Sequence, residues 1–254
     1  MKNIHRAFSG AFSWVLILIA TGHAAVASAA GDPQAMIKET QQVINQDNRL
    51  TFVWWTPWQF WQLSFEKGGQ LTPQAIDGFL KVIRPYTIFL IADGKMGPGA
   101  ALTYFDEATL RQSIVATDPA KKTYAPIELD KLDPDLKNFL QMMGPVLTNM
   151  LGQFGTNMHF VVFKTGTAQG TNAVDVEKEG KFVVSVGDRT FAFHLPLASL
   201  LPPRFDANTG EQFPGNYQFN PFTGDKLGNQ KTLTPTDTTD KQTGADSAAS
   251  AVRP

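Results

Sequence analysis

From residue 159 onward, apolar and polar positions alternate with period two. In KFVVSV (181–186), Phe182, Val184 and Val186 share one face, and in TFAFHL (190–195), Phe191, Phe193 and Leu195 do the same. Gly187-Asp188 between these runs is a hairpin signal. With HFVVF (159–163) before them, the pattern predicts an antiparallel meander buried on one face. Upstream, YTIFLIA (86–92) is apolar on both faces and predicts a central strand that closes at Asp93-Gly94. LTFVWW (50–55) predicts a short strand, and LRQSIVA (110–116) and KTYAPIEL (122–129) predict two more flanking the turn at Asp118-Pro119.

Helical spacing marks four other stretches. Asp32 as N-cap and Pro33 at the first helical position predict a helix through residue 44, with Met36, Ile37, Val43 and Ile44 as its apolar members. Thr56-Pro57-Trp58-Gln59 has the spacing of a capping box and Gly68-Gly69 is a stop, so a second helix is expected over 57–66. Thr72-Pro73 opens a third, through residue 82. The longest starts at Asp133-Pro134: Leu136, Phe139, Leu140, Met143, Leu147, Met150, Leu151 and Phe154 fall on one stripe, with a kink expected at Gly144-Pro145.

These elements predict an α+β domain over residues 31–204, an antiparallel β-sandwich of immunoglobulin-like type with N-terminal helices and a helical insertion at 133–154. Residues 1–30 read as a signal peptide: Lys2, His5 and Arg6 precede an apolar run at 14–20 and small residues up to Ala30, with cleavage expected just before Ala30 or Gly31. That run is shorter than the roughly 20 residues a membrane-spanning helix needs. A periplasmic or secreted protein is therefore expected, with no transmembrane segment after cleavage. Residues 228–254, rich in Thr, Asp, Ala and Gly, read as a disordered tail.

Composition narrows the chemistry. The 254-residue chain has no cysteine, which removes disulfides, thiolate metal sites, thioether-linked haem and thiol nucleophiles. Loss of Lys2 and Arg6 with the leader reduces 22 basic residues to 20, against 23 acidic ones, and no basic stripe is present, so nucleic acid is not an expected partner.

Residues 205–227 contain an internal repeat. Phe205-Asp206-Ala207-Asn208-Thr209-Gly210-Glu211-Gln212-Phe213 and Phe219-Asn220-Pro221-Phe222-Thr223-Gly224-Asp225-Lys226-Leu227 share the pattern F-[DN]-x-x-T-G-[DE]-[QK]-apolar at an offset of fourteen. The segment resembles the knuckle pair of a zinc ribbon or rubredoxin in which all four cysteine positions are replaced, here by Asp206, Thr209, Asn220 and Thr223. A closed zinc site is held by thiolate and imidazole, so a metal-free, ribbon-like knuckle is expected. Its glycines supply positive φ, its Thr and Asn side chains accept from amides, and Phe205, Phe213, Tyr217, Phe219 and Phe222 hold it together.

The remaining candidates are generic. His159 and His194 lie in predicted strands, outside any nucleophile or metal motif. The carboxylate sets Asp130, Asp133, Asp135 and Asp175, Glu177, Glu179 fit a helix N-terminus and a solvated strand face. Trp54, Trp55, Trp58 and Trp61 crowd one stretch, which suits either a binding platform or core packing; a short helix apolar on most of its circumference favours core. The expectation is an exported binding or scaffolding protein of the cell envelope that uses no cofactor and meets an envelope protein or glycan. An Asp/Glu-dependent hydrolase of an envelope polymer is the alternative.

Overall fold

The computed structural model describes residues 31–167 and 172–230. The expected signal peptide (1–30) and all of the expected tail after residue 230 lie outside the described residues. In chain order the elements are α1 (Pro33–Thr40), β1 (Gln41–Gln46), β2 (Arg49–Thr56), α2 (Trp58–Gly68), α3 (Pro73–Ile83), β3 (Thr87–Met96), β4 (Leu102–Tyr104), α4 (Glu107–Gln112), β5 (Ile114–Thr117), β6 (Thr123–Tyr124), α5 (Pro134–Leu151), α6 (Gln153–Thr156), β7 (His159–Phe163), β8 (Gly180–Val186), β9 (Arg189–Leu195), β10 (Arg204–Phe205) and β11 (Gln212–Phe213).

The fold is α+β with antiparallel sheets. In the first, β1-β2-β3 are consecutive, and the far edge of β3 is shared by β7 along residues 87–91 and by β4 along residues 94–96. The second runs β6-β5-β8-β9 and the third is the small β10-β11 pair. The interleaved strand order of an immunoglobulin-like domain is not the order of these sheets. The expected meander over 159–195 divides: β8 and β9 form the hairpin about Gly187, while β7 joins the first sheet.

Period-two alternation stacks the two large sheets. Trp55 and Phe89, opposite each other on β2 and β3, meet Phe182 and Phe193 of β8 and β9 at ring-centroid distances of 5.0–6.0 Å. The other face of β2 meets helices, with Trp54 edge-on to Phe60 of α2 and Phe52 edge-on to Phe154 of α6. Behind it, Trp61, Phe65, Phe79 and Phe139 join α2, α3 and α5 in one aromatic cluster. Burying one such ring is worth about 1.5–3 kcal/mol, and each edge-to-face pair adds about 0.5–1.5 kcal/mol.

Asp32 caps α1 as expected, accepting from Gln34 N, but the helix ends at Thr40. Asp47 and Asn48 both take positive φ, 52° and 55°, and this two-residue turn folds 41–46 back onto β2 as an edge strand that leaves Val43 exposed. Helix α2 runs from 58 to 68 without the expected capping box, because Thr56 Oγ1 donates instead to Ile88 O across the sheet. Its stop at Gly69, φ 62°, and the Thr72 cap of α3 match the expectation. The expected strand at 110–116 splits into α4, capped by Asp106, and β5. Helix α5 continues through Gly144-Pro145 and breaks at Gly152, φ 57°. There α6 folds back so closely that a Cβ on Gly155 would lie 2.0 Å from Leu147 O.

Asp93 ends no strand, since β3 continues to Met96. Its carboxylate is 3% exposed and takes Arg49 Nε at 2.9 Å, Arg49 Nη2 at 2.5 Å and Thr51 Oγ1 at 2.8 Å. Arg189 of β9 donates to Thr51 Oγ1 and to the carbonyls of Ile44 and Gln46, while Arg49 also pairs with Asp188 in the β8–β9 turn. This network clamps one end of the two sheets together.

Candidate functional site

Three of the four tryptophans are buried and not displayed as a platform. Trp54, Trp55 and Trp61 are each 1% exposed, and Trp58 is partly buried with the Arg84 guanidinium 4.7 Å above its ring. The core reading describes them, and none of the first three can stack on a ligand.

The repeat at 205–227 folds as a two-turn ribbon, and the hydrogen bonds that close one turn recur fourteen residues later. Asp206 N donates to Glu211 O at 2.9 Å, and Asn220 N to Asp225 O at 2.7 Å. Gly210 N donates to Asp206 O, and Gly224 N to Asn220 O. The side-chain Oδ1 of Asp206 accepts from the amides of Asn208 and Thr209, and that of Asn220 from the amides of Phe222 and Thr223. Thr209 Oγ1 and Thr223 Oγ1 accept from Glu211 N and Asp225 N. Between the turns, Asn220 Nδ2 donates to Asp206 Oδ2 at 2.7 Å. Asp206 and Asn220 are 1% and 3% exposed, whereas both threonines are exposed. Of the four positions Asp206, Thr209, Asn220 and Thr223, the first and third thus converge and the other two do not. The Asn220 donor, followed by the two backbone amides, holds the Asp206 carboxyl below its usual range.

The aromatic residues expected to hold the ribbon do so only in part. Phe213 and its repeat partner Leu227 are buried, 5% and 4% exposed, while Tyr217, Phe219 and Phe222 are exposed at 41%, 56% and 83%. The exposed side of the ribbon needs no apolar cover because the turns are closed by hydrogen bonds. The ribbon also extends past residue 227: Gly228 exchanges two backbone hydrogen bonds with Phe205, and Arg204 Nη1 reaches Asn229 Oδ1. Residues 228 and 229, expected in the tail, are therefore joined to the ribbon.

Sequence reasoning missed a groove where α4, the 129–132 turn, α5 and β7 meet. Its volume is about 180 Å³; buried Leu132, Leu140 and Met158 line it together with Glu107, Lys137 and His159. Asp106 caps α4 by accepting from Thr109 N and Oγ1, and Glu107 takes Arg111 Nε at 2.8 Å one turn later. Arg111 in turn donates to Phe160 O at 2.6 Å and Ile127 O at 3.3 Å, fixing α4 against β7. His159 Nδ1 stands 3.6 Å from Glu107 Oε2, longer than a direct hydrogen bond. Burial pushes the His159 pKa down against the opposing pull of Glu107. The site thus joins an apolar lining to an imidazole, a carboxylate held by arginine and a lysine. Glu107 and His159 are 52 residues apart with no local motif; the Asp106-x-x-Thr109 cap was the one legible signal.

His194 is exposed on β9. Asp130, Asp133 and Asp135 are exposed about the start of α5, where Asp133 accepts from Asp135 N and Leu136 N. Asp175 pairs with Lys178 and accepts from Glu177 N, while Glu177 and Glu179 are exposed. Among the described residues no group of three His, Asp or Glu is arranged to hold a metal ion, and no helix is long and apolar enough to cross a membrane.

No protein-family model matches the chain, and no curated protein matches it. Among solved structures it is similar to a DUF4426 family protein from Pseudomonas aeruginosa PAO1, at 9% identity and a TM-score of 0.24 over 61% of this chain and 92% of that one.

Proposed function

We propose that the chain is exported with loss of its leader and acts in the cell envelope as a binding protein, receiving an apolar group of its ligand in the groove between α4, α5 and β7. The observation that carries this reading is the groove itself: an apolar concavity beside a titratable residue whose pKa is displaced by burial and which faces a specific charged partner. A cavity of about 150 Å³ accommodates a benzene, so a volume of about 180 Å³ suits a group of roughly one ring. The acids that would serve a hydrolase favour the binding reading: Asp130, Asp133, Asp135, Glu177 and Glu179 are exposed, Asp133 caps α5 and Asp175 pairs with Lys178.

Methyl NMR of the full exported chain with benzyl alcohol as probe tests the site. Saturable shifts at the Met158, Leu132 and Leu140 methyls are expected, and they should vanish in Leu129→Trp, which plugs the groove from its rim. No saturable shift, or equal shifts in the plugged variant, would contradict the proposal. Intact mass of protein recovered from the envelope should begin at Ala30 or Gly31; a mass that retains residues 1–29 would contradict export with cleavage.

A further inference from the structure

Between the ribbon's two turns, the buried side-chain contact is one hydrogen bond, from the amide of Asn220 to the carboxylate of Asp206. Each partner already commits its Oδ1 to two backbone amides of its own turn, which fixes the second atom to face the other turn. The contact therefore needs an acceptor on one side and a donor on the other. We propose that Asp206 and Asn220 form a one-proton lock: the ribbon closes without any metal, through an ionised carboxylate on one turn and an amide on the other, and opens when that complementarity is lost.

Protonating Asp206 places an O–H or a spent lone pair where Asn220 Nδ2 and two backbone amides require acceptors. The other ionisable groups of the ribbon are Arg204, Glu211, Tyr217, Asp225 and Lys226, and none of them ion-pairs with Asp206 among the described residues. Asp225 accepts from Asn208 Nδ2 at 3.5 Å. Since the folded pKa of Asp206 is depressed, its contribution is fully present above the unfolded value of about 3.9. That contribution is lost as pH falls from there through the folded pKa.

The near-symmetry of the turns supplies a test that ordinary destabilisation does not mimic. Asp206→Asn sets amide against amide, so that either rotamer leaves two donors face to face. The swap Asp206→Asn with Asn220→Asp restores one donor and one acceptor with the direction reversed. Asn220→Asp alone sets carboxylate against carboxylate, a pair that closes only by sharing one proton. Hydrogen exchange at the Gly210 and Gly224 amides reads the lock in the full exported chain, with the Phe182 and Phe193 amides as the control for folding of the sheets.

At neutral pH we expect protection of Gly210 and Gly224 to fall at least tenfold in Asp206→Asn and to return in the swap. Asn220→Asp should be open at neutral pH and regain protection toward about pH 4, opposite to the native chain. A chelator should change nothing. Full protection in Asp206→Asn, failure of the swap to rescue, an Asn220→Asp ribbon closed at neutral pH, or loss of native protection on chelation would each overturn the lock.

Discussion

The sandwich and the ribbon reach a fixed structure by different means. In the sandwich, Trp55 and Phe89 meet Phe182 and Phe193 in a continuous apolar layer, and the Arg49–Asp93–Thr51–Arg189 clamp sits at one end. In the ribbon, two side chains, Phe213 and Leu227, are buried outside the main core, and the rest of the order comes from repeated turn hydrogen bonds. Hydrophobic burial scales with area and tolerates shape change, whereas a buried polar contact depends on every partner being present. The sandwich should therefore fail in proportion to lost volume, and the ribbon should fail when one atom changes type.

Four substitutions probe that contrast, in falling order of effect. Trp55→Ala should cost about 3–5 kcal/mol in chemical denaturation, because the ring is 1% exposed between two sheets and leaves a cavity. A loss below about 1 kcal/mol would mean the aromatic layer does not hold the sheets. Asp93→Ala should cost about 3 kcal/mol, the lower end for breaking a buried pair since the Arg49 side chain is 20% exposed. Its partner Arg49 is then left without its main acceptor, and a neutral result would show the clamp to be dispensable. Thr72→Ala should cost about 1 kcal/mol by removing the cap on Ala75 N of α3. Phe222→Asn, which places in the second turn the residue type the first carries at position 208, should change stability by no more than about 0.5 kcal/mol, since the ring is 83% exposed. A larger loss would show that the ribbon depends on its aromatic surface after all.

The groove adds a pH effect of its own. The folded pKa of His159 is depressed by burial, so the unfolded chain binds its proton first. Stability from this residue is complete above about pH 6.5, the unfolded value, and declines as pH falls from there through the folded pKa. His159→Gln should remove that part of the decline, and an unchanged slope between about pH 7 and 5 would contradict it.

Sequence pattern revealed the sandwich because period two is enforced by burial: Phe182, Val184, Val186, Phe191, Phe193 and Leu195 all face inward. The same pattern cannot say which sheet a strand joins, so β7 was grouped with β8 although its partner, β3, lies about 70 residues upstream. The residues QQVINQ became strand β1 through the Asp47-Asn48 turn and not through apolarity, and Asp93 looked like a turn residue because its arginine partner is 44 residues away. At the ribbon, the fourteen-residue repeat was fully legible. Which positions converge was not, since Asp206, Thr209, Asn220 and Thr223 look equivalent in sequence while only Asp206 and Asn220 are buried. The Glu107–His159 groove depends on Arg111 reaching carbonyls of Ile127 and Phe160, contacts that leave no local trace.

Native-state hydrogen exchange of the unsubstituted chain in rising, sub-denaturing guanidinium at neutral pH tests most directly whether the two regions are held independently. The amides of Gly210 and Gly224 should exchange through a local opening of low free energy and small denaturant slope, while those of Phe182 and Phe193 exchange only through global unfolding with a steep slope. If the ribbon amides shared the free energy and slope of the β8–β9 amides, the ribbon would be part of the sandwich's cooperative unit and the contrast drawn between them would be wrong.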